Sequence, residues 1–166
     1  MNWINIPGWL TQAEGDQLQR LVQGRDVLEL GAYCGRSTVC MADTALSVLS
    51  VDHFSGDDHT RAAGGISGCS LGHWLLNTVE YHNVYFIDSN VYAFFADEMY
   101  DVIYIDMLHN LETTKFCTEL ALSVLRPNGL IVWHDWDTFP GVEQGARAAF
   151  NFTQPERCES LAWVRV

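Results

Sequence analysis

Residues Val27 to Ala42 read VLELGAYCGRSTVCMA. The short apolar run from Asp26 to Leu30 predicts a buried strand, and Ser37 to Leu46 predicts a helix. Gly31 and Gly35 bracket the turn between them. At Gly31 the missing Cβ lets the backbone leave the strand without blocking a ligand, and at Gly35 it lets the helix pack close to the strand. The stretch looks like a nucleotide loop. A dinucleotide loop, however, needs three glycines so that a pyrophosphate can approach the helix N-terminus. Here Tyr33 and Cys34 fill the middle and the third glycine is absent. Glu29, inside the strand, is placed to flank the ligand. A carboxylate there is poor company for a pyrophosphate and good company for an ammonium or a sulfonium.

Around this corner strands and helices alternate. TQAE, from Thr11 to Glu14, is a capping box, and Leu18, Leu21 and Val22 follow at helical spacing before Gly24. Further strands are expected over Ser47–Asp52, Asn83–Asp88, Tyr100–Asp106, Leu130–Asp135 and Ser160–Val166. Further helices are expected over Ser70–His82, Leu111–Leu125 and Gly141–Phe150, the second with Cys117, Leu120, Ala121, Val124 and Leu125 on one face. Phe54–Gly68 reads as a Gly-rich loop and Arg126–Gly129 as a turn. The order predicts one α/β domain over residues 1–166, Rossmann-like, with a doubly wound, mostly parallel sheet and helices on both faces. A site then lies at the carboxyl ends of the strands. Four strands end there in Asp52, Asp88, Asp106 and Asp135. One such Asp is often a cap or turn former, whereas four at one sheet edge point to a site.

The ligand that suits Glu29 and a two-glycine turn is S-adenosylmethionine, which has a cationic sulfur, an amino-acid end and no phosphate. Asp52 follows the loop by about 20 residues, where an acid can accept both ribose hydroxyls. Asp88 and Ser89 are placed to meet the adenine.

Composition narrows the partners. The chain has 166 residues, 48% hydrophobic and 18% charged, with a formal charge of -12. Without basic clusters it offers nothing to a nucleic-acid backbone. No apolar run approaches the ~18 residues of a membrane span, and the start MNWINIPGWL has no signal-peptide pattern. Five scattered cysteines read as reduced thiols of a cytoplasmic protein. A homo-oligomer is compatible with all of this.

VLELGAYCGRSTVCMA resembles motif I of the class I S-adenosylmethionine-dependent methyltransferases, and LELGAYCG is very similar to that of catechol O-methyltransferase. The wider frame is similar to small bacterial O-methyltransferase domains: IPGWLTQAEG, VDHFSGD, YDVIYIDMLHN, LRPNGLIVWHDWD and PGVEQGARAAF. The resemblance implies the class I methyltransferase fold. It also implies a cofactor set of Glu29, Gly31, Ala32, Tyr33, Gly35, Ser37 and Thr38, with Asp52 and His53 on the ribose side. Ser89 and Asp88 would meet the adenine, and Asp106 would lie below the methyl-transfer position. In catechol-type enzymes a magnesium ion binds the acceptor oxygens. Asp106 and Asp135 fall on two of its carboxylates, but the third position, an Asn, is Trp136 here. His134 or Asp137 are the available substitutes, and His is a poorer ligand for so hard a cation.

The family's catalytic Lys falls on His109, in a run reading Asp106-Met107-Leu108-His109. A His can act as general base near neutral pH. The expected reaction is methyl transfer to an oxygen of a small hydroxylated molecule, with His109 as base and Asp106 and Asp135 orienting the acceptor or a metal. The lid helices of catechol-type enzymes are largely missing, and the Phe54–Gly68 loop is the candidate replacement. Trp74, Trp136 and Phe139 are candidate acceptor walls. Two alternatives stand: a cofactor-binding protein without transfer activity, motivated by Leu108, Trp136 and the short N-terminus, and an NAD-type reductase, disfavoured by Glu29 and the missing glycine.

Overall fold

The computed structural model describes residues 2–56 and 70–166. Seven strands form one sheet in the order β3-β2-β1-β4-β5-β7-β6. They are β1 (Asp26–Leu30), β2 (Ser47–Asp52), β3 (Val84–Asp88), β4 (Tyr100–Ile105), β5 (Leu125–Trp133), β6 (Glu156–Cys158) and β7 (Leu161–Arg165). The first five are parallel, and β7 runs antiparallel to both β5 and β6. The helices are α1 (Gln12–Val22), α2 (Arg36–Ala42), α3 (Leu71–Thr78), α4 (Leu111–Val124) and α5 (Pro140–Ala149). This is the doubly wound α/β fold expected from the alternation. Among the described residues no helix is long and apolar enough to cross a membrane.

Strand periodicity sorts the core into two layers. Val27, Val102, Tyr104 and Val132 face α1 and α2, packing with Leu18, Val22 and Val39. Leu28, Leu30, Ile103, Ile105 and Ile131 face α4 and α5, packing with Cys117, Ala121, Val142 and Ala146. The capping box of α1 is present: Glu14 N–H donates to Thr11 Oγ1 and Thr11 N–H donates to Glu14 Oε2.

Several boundaries differ from the sequence reading. Helix α2 ends at Ala42 rather than Leu46, because Asn83 Nδ2 donates to the carbonyls of Ala42 and Ala45 and fixes a turn there. Helix α3 ends at Thr78, whose hydroxyl donates back to the Trp74 carbonyl. The Arg126–Gly129 turn lies inside β5 as a bulge, since Tyr100 pairs with Leu125 and Val102 with Leu130. Asn128 takes the left-handed conformation there, with φ 64°. Strand β6 is too short to carry a periodic signal. The expected lid over Phe54–Gly68 lies, from residue 57 on, outside the described residues, and Phe54 itself is core. Cys34, Cys40, Cys117 and Cys158 are all free thiols.

The same periodicity fixes Glu29. Leu28 and Leu30 face α4 and α5, so Glu29 faces α2 and is fully buried. The hydroxyls of Ser37, Thr38 and Ser50 each donate to its carboxylate at 2.5 Å, and Trp74 Nε1 donates to Thr38 Oγ1 at 3.1 Å. Burial pushes the Glu29 carboxyl up to about 7, against the pull of these hydroxyls. The folded state therefore holds a proton that an unfolded glutamate, near 4.5, has already lost. The stability this contributes is complete below pH 4.5 and disappears as pH rises through about 7. Replacing Glu29→Gln removes this loss. Thermal melts at pH 5 and pH 8 are expected to show wild type losing about 5 °C relative to the variant at the higher pH. A constant difference across that window would refute the assignment.

Candidate functional site

An open cleft of about 1090 Å³, open solvent included, lies at the carboxyl ends of β1, β2, β4 and β5. Its floor begins at Gly31. Gly31 has φ 91°, and a Cβ there would meet the Asp106 carbonyl oxygen at 2.0 Å. The absence of a side chain lets β1 and β4 end against each other, and Asp106 N–H donates to the Leu30 carbonyl at 2.8 Å. The turn is tied to β2 by Asp52, whose Oδ2 accepts from Ala32 N and Tyr33 N at 2.8 and 2.9 Å. Its Oδ1 accepts from Phe54 N at 2.7 Å. Tyr33 is held in the left-handed region at φ 46° and packs its ring against Trp9.

The cleft brings together most of the residues expected from the sequence. Gly31, Ala32, Tyr33, Ser37, Asp52, His53, Asp106, His109 and Asp135 all line it. Glu29, Gly35, Thr38, Asp88 and Ser89 are not among the lining residues. Glu29 and Thr38 form the buried network under α2. Gly35 instead gives α2 its left-handed cap and room for Trp74, whose Cδ1 would stand 3.2 Å from an added Cβ. Asp88 is exposed, and the wall beyond β3 is made by Asn90, Val91 and Tyr92. Pro7 to Leu10 and Arg36 close another side. The N-terminal segment has no periodicity to reveal this, although Arg36 donates to the carbonyls of Ile6 and Gly8 and so binds it to the glycine turn. Of the proposed aromatic walls, Trp74 and Trp136 are core, while Phe139 stacks on the His109 ring at 4.4 Å. Cys34 is fully buried and its thiol is pushed up by burial, so it is inert.

Beside the floor, two carboxylates and two imidazoles alternate. His109 Nε2 lies 3.5 Å from Asp106 Oδ1 and 3.1 Å from Asp135 Oδ2. His134 Nδ1 lies 3.5 Å from Asp106 Oδ2 and 3.2 Å from Asp135 Oδ2. Tyr104 donates to Asp106 Oδ2 at 3.3 Å. Asp135 holds the left-handed conformation at φ 57°, which an Asp tolerates better than most residues. Behind His134, Glu14 Oε2 stands 3.4 Å from Nε2. Glu14 is itself held by Thr11 N–H and by the backbone and hydroxyl of Ser160. Burial works to raise Glu14, but His134, Ser160 and Thr11 bring it down to about 2. Burial likewise works against the charge on Asp106 and Asp135, yet the histidines hold Asp106 well below the carboxylate range and Asp135 at about 2. Burial works to lower both imidazoles; Asp106 and Asp135 instead raise His109 to about 9 and, with Glu14, raise His134 well above its ordinary value. The capping-box motif made Glu14 visible in the sequence, but its second task was not.

Magnesium fits this set poorly. Trp136, at the expected Asn position, is buried against Trp133 and Phe152, and its side chain offers no oxygen. Asp137 pairs with Arg157 at the surface. The group that converges with Asp106 and Asp135 is His134, the ligand atoms of all three lying within 4.8 Å of one another. A hard cation that wants oxygen is not matched by an imidazole among so few ligands.

The profile of a family described as a methyltransferase domain matches residues 28–136. The chain has no match among curated protein sequences. Among solved structures it is similar to the N-methyltransferase NodS from Bradyrhizobium japonicum in complex with S-adenosyl-L-homocysteine. The identity is 16% and the TM-score 0.65, over 93% of this chain and 88% of that one. It is also similar to an O-methyltransferase from Bacillus cereus in complex with the same compound. There the identity is 20% and the TM-score 0.61, over 88% of this chain and 71% of that one.

The geometry at Gly31 is open to a direct test. Gly31→Ala places a methyl group against the Asp106 carbonyl and strains φ, so it is expected to cost roughly 2–4 kcal/mol in urea unfolding. A loss below about 0.5 kcal/mol would mean that β1 and β4 do not meet there as described.

Proposed function

The chain belongs to the methyltransferase domain family, and on that premise we propose that it transfers the methyl group of S-adenosylmethionine to an oxygen of a small hydroxylated molecule. The observation that carries this reading is the His109–Asp135 contact of 3.1 Å in the same cleft as the Gly31–Tyr33 turn. Cofactor and proton acceptor then share one chamber.

In the proposed reaction the acceptor oxygen attacks the methyl carbon in line with the departing sulfur. The oxygen–carbon bond forms as the carbon–sulfur bond breaks, and S-adenosylhomocysteine leaves. His109 takes the hydroxyl proton in its neutral form, which becomes the main form only as pH rises through about 9. Asp106 and Asp135 make that ring a stronger base and stabilise the imidazolium it becomes. Phe139, stacked on the ring, keeps it in plane. The two carboxylates also orient the acceptor. The partner is a small molecule rather than a nucleic acid, in keeping with a formal charge of -12.

Calorimetric titration with S-adenosylmethionine, S-adenosylhomocysteine and NADH tests the cofactor. Binding of the first two and not of NADH is expected; no binding of either sulfur compound would sink the reading. His109→Ala is expected to keep cofactor affinity within about threefold and lower methyl transfer ~10²–10⁴-fold. Full activity in that variant would remove His109 as base. Mass spectrometry of products from hydroxyl and amine acceptors distinguishes O- from N-transfer.

A further inference from the structure

We propose that the sheet edge at β3, with the neighbouring flank of α3, is an interface for a second copy of this chain. The two β3 strands pair antiparallel about a twofold axis at Phe86. The inference stands apart from the methyl-transfer reading, since association needs neither cofactor nor acceptor.

The two ends of the sheet are built differently. At one end β6 has three residues, of which Glu156 and Arg157 are charged. Short, charged edges resist pairing with another strand. At the other end β3 reads Val-Tyr-Phe-Ile-Asp and pairs with β2 in unbroken register. It carries no Lys, Pro or bulge to repel a further strand. Its outward groups follow from the ladder. Val48 N–H donates to the Asn83 carbonyl, and Ser89 N–H donates to the Asp52 carbonyl. The odd-numbered residues of β3 therefore bond to β2, and Val84, Phe86 and Asp88 turn their N–H and C=O groups outward.

Both faces of this edge are apolar and, among the described residues, open. Phe86 lies on the α3 side, its ring 5.0 Å from that of Trp74. Tyr85 and Ile87 point to the opposite face and are 58% and 39% exposed. Between β3 and β4 the chain forms only a short 3-10 helix, Val91–Ala93, where a doubly wound sheet usually places a covering helix. On α3, Trp74 and Thr78 face inward, and Asn77 donates to the Cys34 carbonyl on the side of β1. At about 100° per residue, Leu75, Leu76 and Val79 fall on the other flank, beside the edge. Leu76 and Val79 are 70% and 72% exposed.

Self-complementarity selects a second copy as the occupant. A twofold pair centred on Phe86 makes the outward-turned residues of the two strands face one another. It also sets Tyr85 opposite Ile87 of the other copy, an aromatic against a β-branched side chain. A formal charge of -12 makes two copies repel, so the contact must keep like charges apart. Asp88 is the one charged residue of β3, and the axis places it opposite Val84 of the other copy. The two Asp88 then stand roughly 14 Å apart along the strands, beyond the ~8 Å screening length at physiological salt. Tyr85, Phe86, Ile87, Leu75, Leu76 and Val79 expose on the order of 500 Å² per chain, so two copies cover about 1,000 Å², enough for a specific interface.

Sedimentation velocity of the full chain over micromolar concentrations is the test, with far-ultraviolet circular dichroism as the folding control. Wild type is expected to sediment as a dimer. Tyr85→Lys and, separately, Leu76→Glu put like charges into the interface and are expected to weaken the dimer at least ~100-fold with unchanged spectra. If one of them does not fold, the other carries the same expectation. Oxidative cross-linking reads the register. An equal mixture of Tyr85→Cys and Ile87→Cys chains is expected to form a disulfide-linked dimer in higher yield than either variant alone, and wild type oxidised alongside is expected to form none. A monomeric wild type, a dimer that persists in the folded charge variants, or a mixture that cross-links no better than its components would overturn the proposal.

Discussion

The carbonyl oxygen of Asp106 occupies the space beside Gly31 where any other residue would carry its side chain. That contact brings the ends of β1 and β4 together at the point where the strand order reverses, β2 and β3 lying to one side and β5 to the other. The turn at Ala32 and Tyr33 and the acid that follows β4 are thereby parts of one surface. Asp52 completes it from β2, holding two amides of the turn with one carboxylate oxygen. Any ligand at this corner thus meets a backbone positioned by three strands rather than a mobile loop.

Two buried glutamates show how differently the fold can treat the same side chain. Glu29 faces only hydroxyls, whose donated hydrogen bonds do not offset its burial, and its carboxyl rises to about 7. Glu14 is as well hidden, yet an imidazole, a hydroxyl and two amides meet it, and it falls to about 2. The first serves packing beneath α2, where a neutral acid costs less than an ion. The second keeps its charge because His134 carries the opposite one. The sequence marks both positions as Glu and says nothing of this division.

The fold was legible because its signals are local and repeated. Apolar strands ending in Asp52, Asp88 and Asp106 alternate with capped or amphipathic helices, and few arrangements bury such a pattern. The turn was legible because its glycine spacing is local, whereas the roles of His109 and Asp135 were reached only through the resemblance to catechol-type methyltransferases, and their contact is a finding of the structure. Glu29 was misplaced toward the ligand because period 2 sends it to the opposite face from Leu30, and only packing shows which face α2 covers. The participation of Pro7 to Leu10, Asn90 to Tyr92 and His134 depends on contacts between distant segments. Glu14 and His134 are 120 positions apart, and no local pattern links them.

Glu14 also does two things at once at the start of α1. It closes the capping box with Thr11, and it anchors the ring that faces Asp106 and Asp135. The first turn of the N-terminal helix and the charged cluster are therefore a single cooperative unit. Fraying of that turn would release His134, and whatever steadies the cluster also steadies the helix end, in the thermodynamic sense of linkage. Amide exchange at Glu14 and Gly15 would thus register occupancy of the cleft, making the helix start a built-in reporter of the site.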